Sequence, residues 1–373
     1  MAQRLDYDTL RAERGFSWHV SATYLALLDA SGVPIHEYNA RPEAGIDLYR
    51  RGRPAIAEMY GPEVDLPPLM TPPVSYGHVN GLGLELVFPE GGEVNYVRSD
   101  RSLEQWCSIL KRPVEWAREG MFPFFASYKE RLEHAFPGEK VSLSWGVEGP
   151  MTTAYELRDM AVFSDVVDQP ELFGRFLDLL TASSVDFARF MHRLRGEPEV
   201  SQDSAGLADD VASMFGPQVW KRFVLRAWDQ YFSGLTTGKR SAHVEDLRPD
   251  HLPFLEEAGL WSYDPSISGK LNPRVIAERT RVPFGWRLAN FHYPALTESE
   301  VRDWVFQAAA DGASSVFTLV CATMCTPVMV RKVRAFMDAA KETKRLLDSG
   351  ATTADIGREV SPAGKRRFWS HWP

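Results

Sequence analysis

The sequence predicts an α/β protein built on parallel strands. Beyond residue 130, strand-like and helix-like segments alternate, with one pair in roughly 25 to 40 residues, which is typical of parallel strands joined by right-handed crossovers. Near-continuously apolar strands, such as residues 314–320, suit a sheet that is buried on both faces. A closed barrel and an open doubly wound sheet both fit this alternation.

The individual elements follow from the spacing of apolar residues. Residues 141–147 alternate apolar and polar positions and predict a strand. Residues 173–191 and 219–231 repeat apolar residues every three or four positions and predict helices. Thr297 and Glu300 form a capping box that opens a further helix. The remaining predictions are helices at 247–258, 275–280, 298–310 and 329–347, and strands at 260–263, 283–289 and 314–320.

The first 130 residues lack this regular alternation. Proline and glycine cluster in residues 62–92, where paired prolines predict extended turns. We therefore predict an N-terminal elaboration of helices and irregular segments over residues 1–130, packed on a main α/β part over 131–350. Residues 351–373 are predicted to form a C-terminal tail.

Composition and charge exclude several classes of protein. The chain has 373 residues with 42 Lys and Arg against 50 Asp and Glu, a net charge of −8 that argues against nucleic acid as the main partner. Its 3 cysteines cannot form a disulfide framework, and no run approaches the roughly 20 apolar residues of a membrane helix. No glycine-rich dinucleotide or phosphate loop follows a strand. We therefore expect a cytoplasmic enzyme or binding protein, away from membranes.

Polar side chains gather just after the predicted strands, where parallel α/β folds carry their chemistry. Each of them also has a purely structural interpretation, as a helix cap, a hydrogen-bonded core group or a packed thiol. The candidate catalytic residues are Glu148, Asp209, Asp210, Asp264 and His292, and the candidate metal ligands are His243, Glu245 and Cys321.

The metal prediction depends on spacing. His243 and Glu245 are two residues apart, so on an extended strand both side chains point to the same side and can reach one ion. Together with Cys321 they offer nitrogen, oxygen and sulfur donors, a set that suits zinc with an open fourth position. Cys325, four residues after Cys321, could replace it as the third ligand.

Several segments, in this order, resemble the uroporphyrinogen decarboxylase superfamily, which also contains zinc- and cobalamin-linked methyltransferases. Gly-Pro-Met-Thr-Thr-Ala at 149–154 is similar to the family's Gly-Pro-Phe-Thr-x-Ala turn, and 208–217 resembles its Asp-Asp segment before a helix. Residues 321–327 are similar to its last loop, while 83–90 and 102–106 look like the methyltransferase branch. The resemblance covers residues 75–342 and implies a (β/α)8 barrel with its pocket at the carboxyl ends of the strands.

The resemblance also separates two branches. The decarboxylases carry an N-terminal Arg-Gln-Ala-Gly-Arg run, which this chain lacks. The methyltransferases bind zinc through His-x-Cys and a cysteine near the last strand; here the first motif reads His243-Val-Glu245, and the cysteine falls at Cys321. A glutamate thus replaces one cysteine. It either serves as a harder ligand, which quenches the zinc's Lewis acidity less, or marks a lost site.

The resemblance implies a zinc-dependent methyltransferase that moves a methyl group between a small methoxy, amine or thiol compound and a corrinoid. The corrinoid module's Asp-x-His-x-x-Gly is absent, so a separate protein would carry it. The alternative is a metal-free lyase resembling the decarboxylase, with Asp209, Asp210 or Asp264 as proton carrier. A third interpretation is a barrel that binds a ligand without turnover. A homodimer is an expectation from the family.

Overall fold

The computed structural model describes residues 5–369, and short strands run through most of that length. β1 and β2 lie near the N-terminus, β3 and β4 form a hairpin, and the other six are spread over the rest of the chain. Their bounds are β1 Ser17–Ala22, β2 Leu69–Met70, β3 Leu86–Val87, β4 Asn95–Tyr96, β5 Val141–Ser142, β6 Ser204–Ala208, β7 Lys239–His243, β8 Ser262–Asp264, β9 Gly285–Leu288 and β10 Ser315–Val320.

Helices connect these strands. Two short 3₁₀ segments, Asp210–Met214 and Tyr293–Ala295, follow β6 and β9, and a π-helical turn, Trp220–Val224, precedes α12. The α-helices are α1 Tyr7–Arg14, α2 Tyr24–Ser31, α3 Ile35–Ala40, α4 Pro42–Tyr60, α5 Gly77–Gly81, α6 Leu103–Ile109, α7 Phe122–Ala135, α8 Pro150–Arg158, α9 Ala161–Asp168, α10 Pro170–Leu194, α11 Pro217–Val219, α12 Leu225–Leu235, α13 Pro253–Glu257, α14 Pro273–Arg279, α15 Glu298–Ala310, α16 Pro327–Asp348, α17 Thr353–Glu359 and α18 Pro362–Arg367.

The main strands pair in parallel, which confirms the predicted class of fold. β10 lies between β9 and β1, β7 lies between β6 and β8, and β2 pairs with β5. Single parallel bridges link β1 at Ser21 to Asp65, just before β2, and link β8 at Tyr263 to Phe284, just before β9. Parallel pairing brings the carboxyl ends of these strands to the same edge.

The helix over residues 298–310 has the predicted bounds. The backbone N–H of Glu300 donates to the Thr297 hydroxyl at 3.3 Å, and the Thr297 N–H donates to the Glu300 carboxylate at 2.7 Å. Both halves of the capping box are therefore present, which satisfies two backbone donors that the first helical turn would otherwise leave unpaired.

Several predicted elements are shorter than the sequence pattern indicates, and proline explains two of them. The strand predicted at 141–147 is regular only over Val141–Ser142, because the partner segment carries Pro72 and Pro73, which have no N–H to donate to the ladder. The helix predicted at 247–258 is present only as Pro253–Glu257, beginning with proline at its first turn.

β1 lies inside the predicted N-terminal elaboration, and its pairing is a feature that the predicted division did not anticipate. All six of its residues pair with β10, from Ser17 opposite Ser315 to Ala22 opposite Val320. Val20 and Ala22 are buried. The boundary at residue 130 stays a prediction.

Two small helices, α17 and α18, lie in the predicted C-terminal tail, and Ile356 and Phe368 are buried there. Within residues 5–369, no helix combines the length and apolar character needed to cross a lipid bilayer.

Candidate functional site

His243 lies at the carboxyl end of β7, at the centre of a group of carboxylates. Strand register places it directly opposite Asp264 on β8. The two side chains are hydrogen-bonded, with 2.9 Å between His243 Nδ1 and Asp264 Oδ2. His243 Nε2 lies 3.8 Å from Asp210 Oδ1 and 3.9 Å from Glu245 Oε1. The Glu245 N–H donates to Asp210 Oδ1 at 2.8 Å, which fixes the two acidic segments relative to each other.

The carboxylates decide the protonation of this histidine. Burial lowers the pKa of His243, but the hydrogen bond and charge of Asp264, together with the charges of Asp210 and Glu245, outweigh burial and leave the pKa above its ordinary value. The ring is therefore charged over a wider pH range than a free histidine, and its Nδ1 is committed to Asp264.

Asp209, at the end of β6, is held in place by hydrogen bonds from neighbouring elements. The side chain is fully buried, accepting hydrogen bonds from Trp228 Nε1 at 2.7 Å and from the Thr152 backbone N–H at 2.7 Å. Burial raises the pKa of Asp209 to about 6, although these hydrogen bonds lower it. Because Thr152 lies in the first turn of α8, Asp209 anchors that helix terminus to the end of β6.

Gly149 allows this close approach. A β-carbon at this position would lie 2.4 Å from the Asp209 β-carbon, and the Gly149 N–H donates to the Ala208 carbonyl at 2.5 Å. The link between the β5 segment and β6 therefore depends on a residue without a side chain.

Two further acids, Glu148 and Glu156, lie beside this cluster. Burial raises the pKa of Glu148, as do the charges of Asp210 and Asp209, while its hydrogen bond with Ser75 and the charge of His243 lower it. Glu156 is buried on α8, and burial, followed by the charges of Glu148 and Asp209, holds its pKa well above the ordinary value. Glu156 therefore holds a proton to higher pH than a free glutamate does.

The structure thus brings together six of the predicted site residues. They come from the ends of four successive parallel segments and are Glu148, Asp209, Asp210, His243, Glu245 and Asp264. Sequence reasoning missed Glu156, although the three-residue spacing of Thr153 and Glu156 on the buried face of α8 was a usable signal.

His292 and Cys321 follow β9 and β10, as predicted. His292 is buried, and its Nδ1 accepts a hydrogen bond from the Ala289 N–H at 3.3 Å, so this nitrogen stabilises the local turn. Cys321 is also buried, and its backbone N–H contacts Met324 Sδ at 3.4 Å. Among residues 5–369, no three His, Cys, Asp or Glu side chains are spaced as a preformed metal site. The assignment of Cys321 as a ligand to join His243 and Glu245 stays a prediction.

Cys325 packs against α2. Its sulfur lies 3.8 Å from the Ala26 carbonyl oxygen. Burial, followed by the hydrogen bond and charge of Asp29, raises the pKa of this thiol to about 12. The protonated thiol is a poor metal ligand, because metals bind the thiolate.

A cavity of about 640 Å³ opens beside Cys321, between the ends of β1, β2, β9 and β10. His19 lies on β1 two residues before Ser21, which lines the cavity. The His19 ring stacks on Phe317 of β10, with 4.9 Å between ring centroids. Desolvation lowers the pKa of His19, while the charges of Asp65 and Asp264 raise it. Sequence reasoning missed His19, whose ring is held by its contact with Phe317.

Comparison with known proteins shows the fold. No family model and no curated protein matches the sequence. The structure is similar to a methyltransferase from Methanosarcina mazei, with a TM-score of 0.63 and 18% identity, covering 90% of this chain and 97% of that one. At this identity the similarity extends to the fold alone.

Two other solved structures are much less similar. The Amycolatopsis orientalis BexX/CysO complex gives a TM-score of 0.30 at 18% identity, covering 46% of this chain and 66% of that one. The carboxyl transferase domain of Rhizobium etli pyruvate carboxylase gives 0.25 at 10% identity, covering 90% and 49%. Neither TM-score is high enough for the similarity to indicate a shared fold.

Proposed function

We propose that the protein is a methyltransferase that moves a methyl group between a small substrate and a corrinoid held by a separate protein. The observation that carries the proposal is the His243 cluster: one imidazole, fixed by Asp264, facing two carboxylates at the carboxyl ends of parallel strands. The fold shared with the Methanosarcina mazei methyltransferase supports the proposal, but a fold alone does not determine function.

The proposed architecture is a (β/α)8 barrel. The parallel contacts run in order from β1 to the β2 segment, β5, β6, β7, β8, β9 and β10, and β10 returns to β1. The step from β5 to β6 rests on the hydrogen bond from Gly149 to Ala208. Eight parallel strands that return to the first one are the arrangement of this barrel.

The side chains at His243 are of the types that bind zinc, although no three of them within residues 5–369 are spaced as a preformed metal site. Metal-ligating histidines commonly use their second ring nitrogen to hold a carboxylate, as His243 does with Asp264, and the other nitrogen here faces Glu245 and Asp210. His243 and Glu245 would hold the ion, with Cys321, the predicted third ligand, or Asp210 completing the set. When bound, zinc would supply Lewis acidity toward a heteroatom of the substrate.

The remaining residues of the site would handle protons. Glu148 follows the β5 segment at the same edge as His243, and its raised pKa lets it hold a proton closer to neutral pH than a free carboxyl does. It would protonate a heteroatom that loses its methyl group. Asp209 is fully buried and hydrogen-bonded to protein groups, so it would not carry a proton to the substrate. Its role would be to hold the first turn of α8 in place.

The alternative, a metal-free lyase, has one supporting observation. The pKa of Asp209, about 6, lies in the range of a proton carrier. However, both of its oxygens accept hydrogen bonds from the protein, and the side chain has no exposed surface. The methyltransferase proposal therefore agrees better with the position of this acid.

A turnover assay tests the proposal. The purified full chain is incubated with methoxy, N-methyl and S-methyl donors, with and without a reduced corrinoid or its carrier protein. We expect methyl transfer that depends on the corrinoid. Decarboxylation of a small acid by metal-free protein, or full transfer activity without cobalamin, would contradict the proposal.

A further inference from the structure

The cavity beside Cys321 has a charged lining that indicates which class of small molecule it would bind. Its volume of about 640 Å³ is in the range of small-molecule sites. Strand register explains how the lining is formed: Ser21 on β1 lies opposite Leu319 on β10, and Cys321 lies two residues beyond Leu319. Both strands thus present the same face to the cavity.

Arg287 supplies a positive charge to this cavity. It lies on β9 opposite Phe317, and its Nη1 donates to Ser266 Oγ at 3.3 Å. Its Nε is buried without a hydrogen-bond partner, and no carboxylate within residues 5–369 forms an ion pair with it. A guanidinium is always charged and can donate two parallel hydrogen bonds to one carboxylate. The cavity is therefore suited to an acid group at this end.

The other end of the cavity is acidic and aromatic. The Tyr24 hydroxyl donates to the Glu93 carboxylate, and Asp65 pairs with Ser21, which places it at the same edge. Between these groups lies an apolar wall that includes Pro67 and Met70. A carboxylate and a tyrosine ring attract cations, and an apolar wall favours a cation covered by methyl groups.

We infer that the cavity binds a small zwitterion, with its carboxylate on Arg287 and its N-methylated ammonium between Tyr24 and the carboxylates of Asp65 and Glu93. The inference rests on the proposed function, since the N-methyl group is the group to be transferred.

The reaction is balanced for this substrate class. The C–N bond breaks with both electrons staying on nitrogen, which becomes a neutral amine, and the methyl group leaves for the reduced corrinoid of the partner. The nitrogen already carries the positive charge that a Lewis acid would otherwise create, so the inference holds with or without a metal at His243.

Three ligands of nearly equal shape test the contribution of each charge to binding separately. Trimethylglycine carries both, 3,3-dimethylbutanoate carries only the carboxylate, and choline carries only the ammonium. Isothermal titration of the full-length protein should show trimethylglycine binding at least tenfold more tightly than either of the others. Equal binding of the three, or binding of none, would overturn the inference.

Variants at Arg287 locate the acid group. Arg287→Gln should weaken binding of trimethylglycine and of 3,3-dimethylbutanoate at least tenfold and leave choline unchanged. Arg118→Gln, which removes an exposed arginine paired with Glu115, is the matched control and should change none of the three affinities. Arg287→Lys retains the charge and should bind trimethylglycine with intermediate affinity, so it decides the question if Arg287→Gln does not fold.

The outcomes distinguish this inference from the proposed function. Binding of trimethylglycine that depends on Arg287, without methyl transfer to a corrinoid, would support the inference and contradict the proposed function. Methyl transfer from a neutral methoxy or thiol compound that is unchanged by Arg287→Gln would support the proposed function and contradict the inference.

Discussion

At the scale of single residues, charge around His243 dominates the site. One imidazole contacts three carboxylates, from Asp210, Glu245 and Asp264, and each comes from a different strand end or the loop that follows it. A protonated imidazole is stabilised by such neighbours, while a metal would take the place of the proton on Nε2. The same geometry therefore makes predictions for the metal-free and the metal-bound protein.

The folded-state pKa of His243 exceeds the ordinary value of 6.5, so its contribution to stability is fully present below pH 6.5 and is lost as pH rises through the raised value.

In the metal-free protein, Asp264→Asn should lower the pKa of His243, because it removes the hydrogen-bonded carboxylate that raises it. An NMR titration of the His243 ring protons measures this change in pKa. Asp348→Asn, at an exposed pair with Lys344, is the control, and an unchanged His243 pKa in Asp264→Asn would contradict the assignment.

Three variants test the proposed metal ligands by elemental analysis of the purified protein. Cys321→Ser should sharply lower zinc content if the sulfur completes the site, because loss of one protein ligand weakens the whole site. Cys325→Ser should retain the metal, since this thiol faces α2 and its pKa of about 12 keeps it protonated. If Cys321→Ser retains full zinc while Asp210→Asn loses it, Asp210 is the third ligand. Wild-type protein that binds no metal would mean that Glu245 marks a lost site.

At the scale of elements, close packing of the β5 and β6 ends positions the acids. Gly149 lies where α8 begins, and Asp209, Thr152 and Trp228 meet there. This contact joins two strand ends that share few backbone hydrogen bonds, so the volume at residue 149 controls the geometry around Asp209.

Gly149→Ala should destabilise the protein by about 1–3 kcal/mol, because the new methyl group would overlap the Asp209 side chain and force the backbone to move. Gly206→Ala on the neighbouring β6 is the matched control, since a β-carbon added there would have no atom within 4 Å, and it should change stability by less than about 0.5 kcal/mol. Urea unfolding curves measure both. Equal stability of the two variants would contradict this packing.

The sequence predicts those elements whose signals are local. The helix over residues 298–310 is correct because its capping box and apolar face lie within the helix itself. β1 is missed because it is six residues long, with Ser17, His19 and Ser21 at alternate positions, and it becomes a strand only by pairing with β10, almost 300 residues away. Arg287 and His19 are missed for the same reason, since their significance depends on partners distant in the chain.

At the scale of the whole molecule, the parallel order of the strands collects six predicted site residues at one edge. The prediction that polar groups after the strands would meet depends only on topology, and this part of the site could be predicted from sequence. Which of them touch, and which face the cavity lined by Cys321 and Arg287, depends on register and burial, which the sequence pattern does not specify.

Methyl transfer to a reduced corrinoid by a His243→Ala variant is the most direct test of the proposed function. His192→Ala, at a histidine near the end of α10 whose Nδ1 contacts the Glu199 carbonyl at 3.1 Å, is the matched control. We expect wild type and His192→Ala to methylate the corrinoid at similar rates, and folded His243→Ala to lose at least 100-fold, about 2.7 kcal/mol of transition-state stabilisation. His243→Ala with wild-type activity, or a wild-type protein that transfers no methyl group from any donor, would contradict the proposal.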